Sequence, residues 1–209
     1  MKNLVSKEKK RPVKELRDQL RREEIVSAAQ TCVVRHGFHA ASMGQIAAEA
    51  KMSVGQIYRY FPSKEAIVHA IVERIVARRL QWMVNRDKHI DLPAVFASRN
   101  DLHGSDGQSD RILLLEITAE STRNAAVAEI VRDADRRLHA QAVALVRADH
   151  PEWSEQEAIA RVEFIIVLSE GTAFRRAMQQ RADPALLEAL YRDAIDKIFP
   201  GLGNKGRVD

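Results

Sequence analysis

Val54, Gln56 and Arg59 fall on one short stretch, and their side chains have the chemistry to read a DNA base pair. A glutamine amide pairs bidentately with adenine, an arginine guanidinium reads guanine or holds phosphate, and a valine methyl touches the thymine methyl. The element carrying them opens at Ser53 with Gln56 three residues on, the spacing of a reciprocal capping box. Ser42 and Gln45 repeat that spacing upstream, so two very short helices follow one another through Ala50-Lys51-Met52. Helices this short bury too little to stand alone. They must pack together, and Ile46, Ala47 and Ala50 on the first, with Ile57 and Phe61 on the second, supply the contact. Residues 42–61 thus read as a helix-turn-helix, whose second helix enters the major groove with its N-terminal residues at the base edges.

The elements that position this pair are also helical. Leu20, Ile25, Ala28, Ala29, Cys32 and Val33 mark one face of a first helix that Gly37 ends. Ser63 caps a long fourth helix with Glu65 near its positive end, and its stripe Ile67, Val68, Ile71, Val72, Ile75, Arg79, Trp82, Met83 runs to about residue 85. Further helices are expected at 111–121, 125–148, 155–180 and 185–199, with loops at 87–93 and 100–110. Ser154 with Glu157 repeats the capping box, Asp183-Pro184 places proline at N1, and Pro200-Gly201 stops the last helix. No stretch alternates as a half-buried strand does, so the fold class is all-α. The domains expected are a basic mobile arm at 1–19, the helix-turn-helix at 20–65, a body at 66–200 and a flexible tail at 201–209.

Charge is segregated. Residues 1–64 hold 13 Lys and Arg against 6 Asp and Glu, whereas the rest holds 20 against 23. A basic face attracts nucleic acid through counterion release. No window approaches the ~18 uncharged apolar residues of a membrane span, and the charged N-terminus lacks the apolar run of a secretory signal. With a single cysteine, Cys32, the chain reads as cytoplasmic and free of intrachain disulfides.

The stretch from Arg22 to Val72 resembles the TetR family of bacterial regulators. The resemblance lies in Ile25-Val26-x-Ala28-Ala29, Gly37-Phe38, Ser42-Met43-x-x-Ile46-Ala47-x-x-Ala50 and Ser53-Val54-Gly55-x-Ile57-Tyr58-x-Tyr60-Phe61-x-Ser63-Lys64-Glu65. It implies that Tyr58, Tyr60 and Lys64 contact the phosphate backbone, with Ser42 and Met43 at the start of their helix as further DNA candidates, while Val54, Gln56 and Arg59 face bases. Tyr60 has an alternative, packing against the first helix. Lys51 departs from the pattern, where the family usually has glycine, so the turn is made without glycine or Lys51 takes a left-handed conformation at some cost. The resemblance further implies a dimer on a palindromic double-stranded DNA operator, released by a small-molecule effector. The alternative is an effector-independent architectural DNA-binding protein.

For the body, only physics applies. Phe164-Ile165-Ile166-Val167-Leu168 is apolar almost all round its helix. With Gly171 and the last helix's Leu187, Leu190, Tyr191, Ala194 and Ile198, it suits a four-helix interface between two copies, a homodimer through the last two helices. Trp82, Phe96, Leu113, Phe164 and Phe174 are candidate walls of an effector pocket, and Glu116, Glu120 and Glu170 its candidate acids, which would suit a hydrophobic or cationic ligand. The competing reading has solvated glutamates and core aromatics.

Two motifs are set aside. Gly201 to Gly206 spells GxGxxG but follows a helix, where a dinucleotide site needs a strand before it. Cys32, His36 and His39 are split by Gly37 and lack a fourth ligand, so Cys32 reads as a core residue and no metal is expected. No nucleophile elbow, zincin or P-loop motif occurs, so neither an enzyme nor a cofactor is expected.

Overall fold

The computed structural model describes the backbone of residues 2–84, 104–178 and 181–200, and side chains from residue 14 onward apart from 82, 84, 104–109, 111, 173, 176 and 177. All regular structure among these residues is helical: α1 (Lys2–Ala40), α2 (Met43–Glu49), α3 (Val54–Tyr60), α4 (Lys64–Val84), α5 (Gly104–Ser121), α6 (Ala125–Asp149), α7 (Glu155–Ala177) and α8 (Pro184–Ile198). No described helix is long and apolar enough to cross a membrane.

The chain divides into two compact units, one comprising residues 1–75 and 112–132 and the other 76–111 and 133–209. In the first unit, α1 contributes Ile25, Val26, Ala28, Ala29, Cys32 and Val33 to a core with Ile46 and Ala47 of α2, Ile57 of α3, and Ile67, Val68 and Ile71 of α4. Leu113, Ile117 and Val127 are buried in the same unit. Cys32 is one of these core residues, and burial pushes its thiol above the usual value. The second unit buries Val76, Ala134, Ala158, Val162, Ile195 and Phe199. There Arg161 lies 4.0 Å over the Trp153 ring and donates to the Ile198 carbonyl, tying α7 to the end of α8.

Two expectations about local structure are corrected. The segment expected as a mobile arm is helical from Lys2: its Lys, Glu, Leu and Arg residues are good helix formers that extend a nucleated helix, although Pro12 removes one backbone donor within it. The loop expected over 100–110 is helix from Gly104 onward, and residues 100–103 lie outside the described residues. Arg78 Nη2 lies 2.6 Å from both carboxylate oxygens of Asp110, and a helix pinned there can propagate back through polar sequence. The other expected loop, 87–93, and the tail at 201–209 lie outside the described residues.

Gly37 interrupts α1 with φ 79° and ψ 161°, a conformation that suits glycine. The chain then turns into the Ser42 cap of α2.

Candidate nucleic-acid interface

Both capping boxes form as their sequences demand. Ser42 Oγ accepts the N–H of Gln45 at 3.2 Å while Gln45 Oε1 accepts the N–H of Ser42 at 2.8 Å. Ser53 and Gln56 repeat the exchange at 3.2 and 2.8 Å. The connection is closed by Met52 N–H donating to the Ala47 carbonyl at 2.9 Å, and Lys51 makes the turn in the left-handed region, with φ 54°. The missing glycine is therefore met by a strained lysine.

With Ile57 fully buried, α3 turns its other faces outward. Val54 and Tyr58 are 42% and 51% exposed, and Gln56 and Arg59 are exposed beside them. The helix carries no acidic residue. Met43 is half-buried at the first position of α2. Gln56 has less freedom than its type suggests, because its Oε1 is already held by the cap; pairing with adenine would draw on the remaining lone pair and the amide N–H groups.

Two expected phosphate contacts also have partners within the protein. Tyr60 Oη donates to Asp18 of α1 at 3.3 Å and accepts from Arg59 Nη2 at 3.0 Å, so it packs on the first helix as the alternative reading had it. Lys64 Nζ donates to the carbonyl of Phe38, reaches that of His39 at 3.5 Å, and sits 4.1 Å over the Phe38 ring. Burial lowers its ammonium below the usual lysine value, while Glu120 and Glu65 act to raise it. Lys64 therefore caps the end of α1, and only donor capacity beyond those carbonyls remains for a phosphate. Sequence reasoning missed Arg22, which donates to the Tyr60 carbonyl at 2.7 Å and stacks 4.3 Å over Phe61. Its place one turn before Ile25 and Val26 was the available signal.

The residues grouped as an effector pocket divide between the two units. Glu116 and Glu120 belong to the first unit, and Phe164, Glu170 and Phe174 to the second. Glu116 accepts the backbone N–H of Phe38 at 2.8 Å. Glu120, only 8% exposed, pairs with Arg123 at 2.6 Å. Both carboxylates thus have partners in the fold. Phe164 and Phe174 are 43% and 53% exposed on α7, and Glu170 is exposed. The Trp82 side chain and Phe96 lie outside the described residues.

Residues 25–71 match the model of the tetR family of bacterial regulatory proteins, and residues 104–200 match the C-terminal model of BetI-type transcriptional repressors. The chain belongs to the TetR family. It is similar to the HTH-type transcriptional regulator UidR of Escherichia coli strain K12, with 34% identity over 116 residues, or 54% of this chain and 57% of UidR. The chain thus spans a little over half the length of the curated relatives it matches first. The HTH-type transcriptional repressor KstR of Rhodococcus jostii is 36% identical over 69 residues, covering 33% of this chain and 31% of KstR. Among solved structures, Salmonella enterica GusR superposes with a TM-score of 0.65 at 24% identity, covering 85% of this chain and 94% of GusR. GusR shares the fold of this chain, and UidR and KstR are named as HTH-type regulators.

Proposed function

We propose that this chain is a one-component transcriptional repressor that binds a palindromic operator as a homodimer and is released by a small-molecule effector. The observation that carries the reading is the outward surface of α3: Val54, Gln56, Tyr58 and Arg59 stand exposed on a helix without an acid, at the N-terminal, basic end of the chain. Val54, Gln56 and Arg59 meet base edges, Tyr58 meets phosphate, and Ser42, Met43, Tyr60 and Lys64 lie at the margins of the contact. Residues 20–65 form the DNA-binding part and 66–200 the effector-binding and dimerisation part, acting in the cytoplasm.

Dimerisation through the last two helices has support in their exposed apolar side chains. Phe164, Val167, Leu186 and Leu190 are 43, 59, 70 and 67% exposed. An apolar surface rimmed by charge is what two copies would cover, and the symmetry would match half-sites about one DNA turn, ~34–36 Å, apart or a multiple of it. The effector is read as hydrophobic or cationic. With Glu116 and Glu120 engaged elsewhere, Glu170 beside Phe174 is the remaining acid for a cation.

Binding of the purified protein to the DNA flanking its own gene, across a salt series and against random duplex, tests the reading. Tight, salt-sensitive protection of a palindrome is expected. Equal affinity for both DNAs would replace it with an architectural role.

A further inference from the structure

We infer that Glu116 is a positioning residue for DNA binding, holding the turn between α1 and α2 in place on α5 and so setting where the helix-turn-helix stands. This rests on the regulator reading above and adds the residue through which the head is held.

The turn is gripped from both sides at one buried residue. Gly37 breaks α1 with φ 79°, and the next amide, that of Phe38, donates to Glu116 Oε2 at 2.8 Å. The carboxylate lies so close that a Cβ on Gly37 would stand 3.3 Å from Oε2. The carbonyl of the same Phe38 accepts from Lys64 at the start of α4, and its ring, 3% exposed, lies under that ammonium. Phe38 is thus held by α5 through its N–H and by α4 through its C=O. Glu120 follows Glu116 by four residues on α5, which places both acids on one face. Its carboxylate acts on Lys64 electrostatically, so that face addresses the Phe38 junction twice.

The junction leads straight into the DNA-reading elements. Ser42, four residues after Phe38, caps α2, and α2 is joined to α3 through the Lys51 turn. Helix α5 is continuous from Gly104 to Ser121, and its earlier residues belong to the second unit. A helix moves as a rod, and a slide of about 1 Å takes a hydrogen bond beyond its working range. An event that moved α5 along its axis by that much would therefore break the hold on Phe38. The distance between two recognition helices in a dimer depends on where each head stands, so Glu116 governs which half-site spacing is bound.

The test uses the full-length protein, its operator, and two versions of that operator with the half-sites moved one and two base pairs further apart. Wild type should prefer the native spacing by about tenfold or more, a normal size for coupling between sites. Glu116→Gln keeps an acceptor at the same reach and should retain that preference. Glu116→Leu removes it, and the preference should shrink to within about threefold, with random-duplex affinity unchanged and faster hydrogen exchange at the Phe38 amide. If Glu116→Leu does not fold, Glu116→Asp, one methylene short of Phe38, carries the comparison and should lose preference against Glu116→Gln. Full spacing preference in Glu116→Leu or Glu116→Asp would overturn the inference. So would a parallel loss of operator and random-duplex binding with a lowered melting temperature, which marks a merely structural role. A wild-type protein that does not distinguish operator from random duplex would instead remove the regulator reading, and this inference with it.

Discussion

Arg22 of α1 donates to the carbonyl oxygen of Tyr60 at 2.7 Å, and its guanidinium lies over the ring of Phe61 at 4.3 Å. One side chain therefore satisfies an end carbonyl of the recognition helix and covers the aromatic residue that follows it. Arg22→Ala should cost about 1–2 kcal/mol in a chemical denaturation experiment, combining a lost hydrogen bond to a charged group with a lost cation–π contact. Arg22→Lys, which has no planar fork, should recover less than half of that.

Tyr58 and Lys64 should separate under mutation, although both are candidate phosphate contacts. Tyr58 is 51% exposed with its ring free of the core, so Tyr58→Phe should weaken operator binding several-fold, about 1 kcal/mol, without moving the melting temperature. The salt dependence should stay unchanged, because a neutral hydroxyl displaces no counterion. Lys64→Ala should lower the melting temperature as well as the affinity, since it strips the Phe38 carbonyl of its donor. A stable Lys64→Ala protein would mean that the inward contacts contribute little.

Lys51 makes the helix-turn-helix connection at φ 54°. A non-glycine residue there costs about 1 kcal/mol, so Lys51→Gly should stabilise the protein by up to that amount, less the entropy glycine brings to the unfolded chain. Thermal unfolding in matched buffers checks the sign. A destabilised Lys51→Gly would show that the lysine side chain contributes more than its backbone costs.

Glu65 should give stability an acid limb. Its carboxyl is held below the usual glutamate value first by a hydrogen bond with its own backbone and then by the Ser63 hydroxyl. A depressed carboxylate contributes stability above its unfolded value and loses it as pH falls through the folded one. Glu65→Gln should therefore be less stable at neutral pH by about 0.3–1 kcal/mol, the size of a charge–dipole interaction at a helix start. The gap to wild type should close as pH falls below the normal glutamate range. A gap that persists at low pH would assign the effect to packing.

Leu190 is 67% exposed on α8 and has little to do in a lone chain. Leu190→Glu should leave helicity intact and shift the protein toward the 23.6 kDa monomer in light-scattering chromatography. Operator affinity should fall by about tenfold or more, as the cost of charge in the centre of an interface requires. An unaltered dimer would place the interface elsewhere.

What the sequence revealed was what local chemistry decides. The caps at Ser42, Ser53, Ser154 and Asp183 depend on residues two or three apart, and each forms where its spacing indicated. Gly37 was visible as a helix end for the same reason, whereas Lys51 stood out only against the family pattern, with the left-handed turn as one of two alternatives. The contacts of the acids are long-range. Glu116 meets its partner across 78 residues, and nothing near it in sequence announces a backbone N–H waiting at Phe38. It therefore read either as a solvated acid or as a buried charge for a ligand, and neither reading includes the backbone donor that the fold supplies. Lys64 likewise looked free until α1 brought the Phe38 and His39 carbonyls against it. The start of α5 was hidden because polar, glycine-bearing sequence reads as a turn unless a distant pairing such as Arg78 with Asp110 holds it.

The caps of α2 and α3 use glutamine at the third helical position, where the cap of α7 uses Glu157. Either residue completes the same hydrogen-bonded ring, so the fold itself is indifferent to the choice. A polyanion is not indifferent. A carboxylate at Gln45 or Gln56 would close the cap equally well and set a fixed negative charge against the phosphates. The amide keeps the positive end of each short helix unneutralised on the side proposed to meet DNA. Partner selection is thus written into a position whose visible task is to start a helix.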